Sequence, residues 1–264
     1  MQIFHGLAGE KKGHFRIRHY FDLYLTQGPY FTERFLELKS KHKDFEVIET
    51  GWPKLDNYGK DVHKYDHEKL ELLRKYGAEK IILYAPTFSP SLTSAPFLPG
   101  EIRELSVNKK YLVLIKFHDL MDKQVKEQYQ ILASEHNNII VEEEPNIVKF
   151  LLMADLMISD TSSVVYEFLL LDKPVITFKS NSENILWDNS LSYDQLGQKV
   201  ASNLENDPFR NQRKQIIASY HPYHDGRSAQ RMVETVEEYI ADHGVPEKRR
   251  LPFLRKLKMN RKFS

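Results

Sequence analysis

The chain has 264 residues, enough for one large or two modest domains, and its 41% hydrophobic and 28% charged content is ordinary for a globular protein. It contains no cysteine, which excludes disulfides, thiolate catalysis and cysteine-bound zinc. The net charge of +1 conceals an asymmetry: residues 247–264 hold eight Lys/Arg against Glu247 alone, which leaves the preceding chain at −6 and argues against a general nucleic-acid binder.

Residues 1–6 lack both the basic segment and the apolar run of a secretory signal, so none is expected. Over 20–26 the pattern predicts a short strand, over 30–39 a helix, over 45–49 a second strand and over 66–76 a charged helix. This is too little for a complete sheet domain, so 1–75 reads as the trailing part of a larger lobe. From residue 80 the pattern alternates: strands over 81–85, 111–117, 139–142, 156–159 and 175–178, with helices over 122–135, 146–153 and 163–171. Short apolar runs separated by helices predict an α/β fold whose parallel sheet is covered on both faces, within a domain spanning 76–240. The longest apolar-rich stretch, 147–158, is broken by Lys149 and Asp155 and is too short to span a bilayer. After residue 181 the signal weakens, until Ala229, Met232, Val233, Val236 and Ile240 mark an amphipathic helix. The tail, 241–264, interleaves its cations with Leu251, Phe253, Leu254, Leu257, Met259 and Phe263. That composition suits an anchor on an anionic membrane surface, and equally a solvated chain end.

Ligands of parallel sheets bind beyond the carboxyl ends of the strands. The predicted strand ends here read Pro86-Thr87, His118, Glu143 and Asp160-Thr161-Ser162-Ser163, a polar set fit for one site. The segment 155–168 is the most informative. Its apolar run stops at Asp160, three hydroxyl residues follow, and Val164, Val165, Phe168 and Leu169 then recur at helical spacing. Orphan backbone N–H groups, hydroxyls and the positive helix end would converge there, which suits a phosphate or diphosphate. A hydroxyl-capped helix without any ligand would give the same pattern.

In order along the chain, six motifs resemble one family. They are Phe4-His5-Gly6 with Gly13; Thr50-Gly51-Trp52-Pro53-Lys54-Leu55-Asp56; Tyr84-Ala85-Pro86-Thr87-Phe88; Lys116-Phe117-His118; 158–168 with Lys173-Pro174; and Asp225-Gly226-Arg227-Ser228-Ala229-Gln230-Arg231. Together they resemble the CDP-glycerol glycerophosphotransferases of teichoic acid and capsule synthesis, whose fold is the two-lobed GT-B type. By that resemblance the carboxyl lobe is a Rossmann-like nucleotide-binding domain and the amino-terminal lobe is incomplete in this sequence. The pattern departs from the family where His118 is followed by Asp119 rather than proline, and where Met121 stands in place of an arginine.

The resemblance implies a transferase. An acceptor hydroxyl attacks the β-phosphorus of CDP-glycerol, releases CMP and extends a polyol-phosphate chain. His5 falls at the position of the base, for which a neutral imidazole is suited. His118 would donate to the diphosphate, and Thr161, Ser162 and Ser163 would cradle it. Glu167 would meet polyol or ribose hydroxyls, Thr87 would line the loop after the first strand of the nucleotide lobe, and Arg227 or Arg231 would add positive charge. Tyr84 and Phe88 read as core, and Glu167 equally as a solvated helix residue. No metal or other cofactor is implied. The expected partners are a CDP-polyol donor, a lipid-linked or polymeric acceptor and an anionic membrane, placing the chain at the cytoplasmic face. Two alternatives stand at this point: another GT-B enzyme, such as a sugar transferase or UDP-GlcNAc 2-epimerase (with acid/base candidates in Glu142, Glu143 and Glu144), and a non-catalytic nucleotide-binding module.

Overall fold

A computed structural model of the chain describes residues 1–4, 6–7, 13–245, 253–254 and 256–257. Its elements begin with β1 (Leu23–Thr26), α1 (Pro29–His42), β2 (Glu46–Glu49), a single 3-10 turn at Pro53–Leu55, α2 (Asp56–Lys60) and α3 (Asp66–Tyr76). There follow β3 (Lys80–Tyr84), α4 (Pro99–Val107), β4 (Tyr111–Ile115), α5 (Lys123–Glu135), β5 (Ile139–Val141), α6 (Ile147–Met153) and β6 (Leu156–Ser159). Then come α7 (Ser163–Leu169), β7 (Val175–Phe178), β8 (Asp188–Ser190), α8 (Leu196–Glu205), α9 (Arg210–Tyr220) and α10 (Ser228–His243). Two compact units result, one of residues 1–60 with 218–264 and the other of 61–217.

In the first unit β1 and β2 pair in parallel, Leu23 opposite Glu46, and Gln2 bridges to Tyr24 of β1. Successive strand side chains point to opposite faces. Accordingly Tyr24 joins Phe35, Phe45 and Ile17 in one apolar cluster, while Leu23 and Leu25 pack with Met232 of α10. This packing corrects the domain boundaries drawn from sequence at 75 and 240. α10 belongs with the amino-terminal residues because its apolar stripe covers the second face of β1, and α3 belongs with the larger sheet, where Lys69 pairs with Asp155 at 2.8 Å. Most of the basic tail lies outside the described residues; within it, Phe253 and Leu254 are exposed. Among the described residues no helix is long and apolar enough to cross a membrane.

The second unit is built on a six-stranded sheet of order β5-β4-β3-β6-β7-β8, with every pair parallel. β4, β6 and β7 are buried along their whole length, as apolar runs flanked by helices require. The parallel α/β arrangement expected of this region is therefore present. β8 escaped the sequence reading because Asp188-Asn189-Ser190 carries no apolar pattern. It is held by polar bonds instead, Asn189 Oδ1 accepting from the Thr177 hydroxyl at 2.8 Å and the Ser180 N–H at 3.0 Å.

Candidate active site

The strand order reverses at β3, whose chain successor β4 lies on one side and β6 on the other. A crevice forms beyond the carboxyl ends of two such strands, because their connections leave in opposite directions. The loops from β3 and β6 meet there. Ser159 Oγ donates to the Ala85 carbonyl at 2.7 Å, and the Thr87 N–H donates to Asp160 Oδ2 at 3.0 Å.

Asp160 is fully buried at the end of β6. Burial pushes its carboxyl up to about 6, with Ser94 and the Thr87 N–H partly offsetting that shift. Behind it the Tyr84 and Ser94 hydroxyls lie 2.9 Å apart, and the Tyr129 hydroxyl donates to the Ala95 carbonyl at 2.9 Å. Desolvation raises both phenols, so this layer beneath the β3 and β6 loops is neutral apart from Asp160. Tyr84 is a core residue, as expected.

Beyond Asp160 the chain turns into α7. Ser162 is extended, at φ −149° and ψ 146°, and its hydroxyl accepts the Val164 N–H at 3.4 Å, making it the helix N-cap. Thr161 Oγ1 accepts the Asn181 N–H at 3.1 Å, which ties the turn to the segment after β7. Ser163 is the first helical residue and is half-buried. Glu167 lies one turn in and is buried, not solvated, because α7 packs against β6 and β7.

From β4 comes His118, exposed three residues past the strand end. Its Nδ1 accepts the Leu120 N–H at 3.1 Å, and its ring lies 4.5 Å from that of Phe88 at a tilt of 33°. Phe88 is 39% exposed, so its reading as core is corrected: it reaches an imidazole at the edge of the sheet. Met121 is buried in the sheet core. Thr87, His118 and 161–163 are thus all carried on the carboxyl-end loops of β3, β4 and β6. Spacing revealed those loops, but neither the burial of Asp160 nor the Phe88–His118 contact.

The remaining candidates belong to the first unit. His5 lies outside the described residues. Arg231 has its guanidinium engaged with the framework: Nε donates to the Thr50 carbonyl at 2.9 Å, Nη1 to Asp225 at 2.6 Å and Nη2 to Ser228 at 3.2 Å, over the Tyr223 ring. Arg227 is exposed and its Nε donates to Gln230.

The fold is α/β, of the GT-B type. Residues 7–185 match the family model described as CDP-Glycerol:Poly(glycerophosphate) glycerophosphotransferase, and the chain belongs to that family. A teichoic acid glycerol-phosphate primase of Bacillus subtilis (strain 168) is 26% identical over 235 residues, covering 83% of this chain and 58% of the relative. The Staphylococcus aureus teichoic acid ribitol-phosphate polymerase TarL is 25% identical, covering 80% of this chain and 40% of its own length. The chain therefore spans about half the length of these relatives. A structure of the wall teichoic acid polymerase TagF superimposes with a TM-score of 0.60 at 17% identity, over 92% of this chain and 63% of that one. A UDP-N-acetylglucosamine 2-epimerase structure gives 0.56 at 19%, over 88% and 60%.

Proposed function

We propose that the chain transfers a polyol phosphate, glycerol phosphate in the first instance, from a CDP-activated donor to an acceptor hydroxyl with release of CMP. The observation that supports this reading is that Thr87, His118 and the 161–163 turn all lie on carboxyl-end loops of neighbouring strands β3, β4 and β6, in a family of that chemistry. The diphosphate would sit against the backbone N–H groups and hydroxyls of 161–163, with His118 donating to a phosphoryl oxygen. Thr87 would border it, Glu167 would serve the polyol or ribose hydroxyls, and Arg227 would add charge. Arg231 would act by holding its loop. His5 would take the acceptor proton. The acceptor would be lipid-linked or polymeric, reached from the cytoplasmic face through the basic tail.

Isothermal titration with CDP-glycerol, CDP-ribitol, UDP-GlcNAc and CDP tests the donor. Both CDP-polyols should bind more tightly than UDP-GlcNAc. Equal or tighter binding of the uridine nucleotide would overturn the donor assignment and favour the epimerase-type alternative.

A further inference from the structure

We propose that Phe88 is a positioning residue for His118, packing the imidazole in the orientation in which Nε2–H is the ring's hydrogen-bond donor. This rests on the reading of His118 as donor to the diphosphate, and adds how the chain prepares that donor.

Two contacts define the ring. The Leu120 N–H donates to Nδ1 at 3.1 Å, so in the neutral imidazole Nδ1 is unprotonated and the proton sits on Nε2. The turn supplying this N–H is itself fixed: the Met121 N–H donates to the His118 carbonyl at 2.9 Å, and Lys126 Nζ donates to the Asp119 carbonyl at 3.1 Å. One hydrogen bond still leaves the ring able to rock about it. Phe88 limits that freedom by packing on the imidazole, centroids 4.5 Å apart.

Phe88 is held in turn by its neighbour. The Thr87 N–H is bonded to Asp160, whose carboxylate is buried at the end of β6. A continuous relay therefore runs from β6 through the β3 loop to the side chain after β4. Core packing does not account for Phe88, since the ring is 39% exposed at a polar edge.

Long-range proton–nitrogen correlation NMR on the full chain tests this without any donor, with His118→Gln assigning the signals. The expected result is an unprotonated Nδ1, a protonated Nε2, and ring-proton shifts that move when Phe88→Leu removes the neighbouring π-face. In transfer assays Phe88→Leu should lower kcat about ten- to a hundredfold with donor KM within about twofold, and Phe88→Tyr should restore most of the rate. A proton on Nδ1, unchanged ring shifts in Phe88→Leu, or an unchanged kcat would each overturn the proposal. Absence of any CDP-polyol turnover by the unaltered chain would count against the proposed function, while the NMR outcome would still decide the positioning.

Discussion

Asp56 caps a helix that begins 172 residues later: its Oδ1 accepts the Ser228 N–H at 2.9 Å, and its Oδ2 accepts the Ala229 N–H at 2.8 Å. These are two of the orphan donors that open α10. Around them Arg231 bonds the Thr50 carbonyl, and His221 Nε2 accepts the Trp52 N–H at 3.0 Å. Gly51 has φ +87°, which favours glycine, and a Cβ there would come within 2.5 Å of Ser228 Oγ and push the clasp side chains aside. The motifs at 50–56 and 225–231 are thus two halves of one clasp, which explains why Arg231 belongs to the framework.

Replacing Asp56 by alanine should therefore loosen α10 and destabilise the first unit by about 1–2 kcal/mol, the cost of a lost N-cap. The two tryptophans fall one in each unit, so urea unfolding in a Trp187→Phe background reads Trp52 and its unit alone. The midpoint should fall with Asp56→Ala and recover in part with Asp56→Asn, which keeps an oxygen acceptor. An unchanged midpoint would show that the clasp contributes nothing to stability.

Acid should act oppositely on the two units. Burial lowers His221 to about 4, so the folded state resists a proton that the unfolded ring takes near 6.5. Below about 6.5 the unfolded form binds more protons, and up to about 3 kcal/mol is lost from the first unit as pH falls toward 4. Asp160, raised to about 6, binds its proton more tightly when folded than its unfolded value of 3.8. The second unit therefore gains up to about 3 kcal/mol over the fall from 6 to 4. Hydrogen exchange between pH 6.5 and 4.5, corrected for intrinsic rates, should show protection falling in α10 and β1 while β6 and β3 hold or improve. His221→Gln should flatten the first trend. Parallel loss in both units would contradict the assignment.

How much of this was legible in the sequence depended on whether apolar spacing carried the information. β6 and β7 run over the predicted residues because Leu156-Met157-Ile158 and Val175-Ile176 are continuous buried runs. A hydroxyl cap at the start of α7 was expected from residue type, and the structure assigns it to Ser162 among the three candidates 161–163. α4 and α8 were missed, although α8 buries Leu196 and Val200 in the core, because neither carries a long apolar stripe of its own. The clasp was visible only as two separate motifs, since nothing local in Asp56 announces a helix 172 residues away. The solvated alternative for Glu167 and the core reading of Phe88 failed for the same reason: burial and stacking are set by elements distant in sequence.

Within the site, Ser163→Ala should weaken CDP-glycerol binding about ten- to a hundredfold, the effect of one hydrogen bond to a charged oxygen. Ser162→Ala should cost affinity as well, and in addition about 1 kcal/mol of stability, because its hydroxyl also caps α7. His118→Gln should leave affinity within a few fold and lower kcat about 10²–10³-fold. His5→Ala should likewise spare donor binding while lowering turnover about 10²–10⁴-fold, as for a lost general base. Calorimetry on the four variants separates the groups. Wild-type affinity in Ser163→Ala would remove that hydroxyl from the donor site.

The tail supplies the last prediction. Eight Lys/Arg within 247–264 each contribute about 1 kcal/mol near an anionic surface, an attraction that decays over roughly 10 Å at ordinary salt. The exposed Phe253 and Leu254 would add apolar contact with the lipid. Binding should therefore be reversible, selective for anionic lipid and weakened by salt. In flotation with phosphatidylglycerol-containing vesicles the intact chain should rise with the lipid, and a chain ending at residue 246 should stay below. Neutral phosphatidylcholine vesicles should carry neither. Equal flotation of the two chains would take the membrane role away from the tail and leave it a packing role or none.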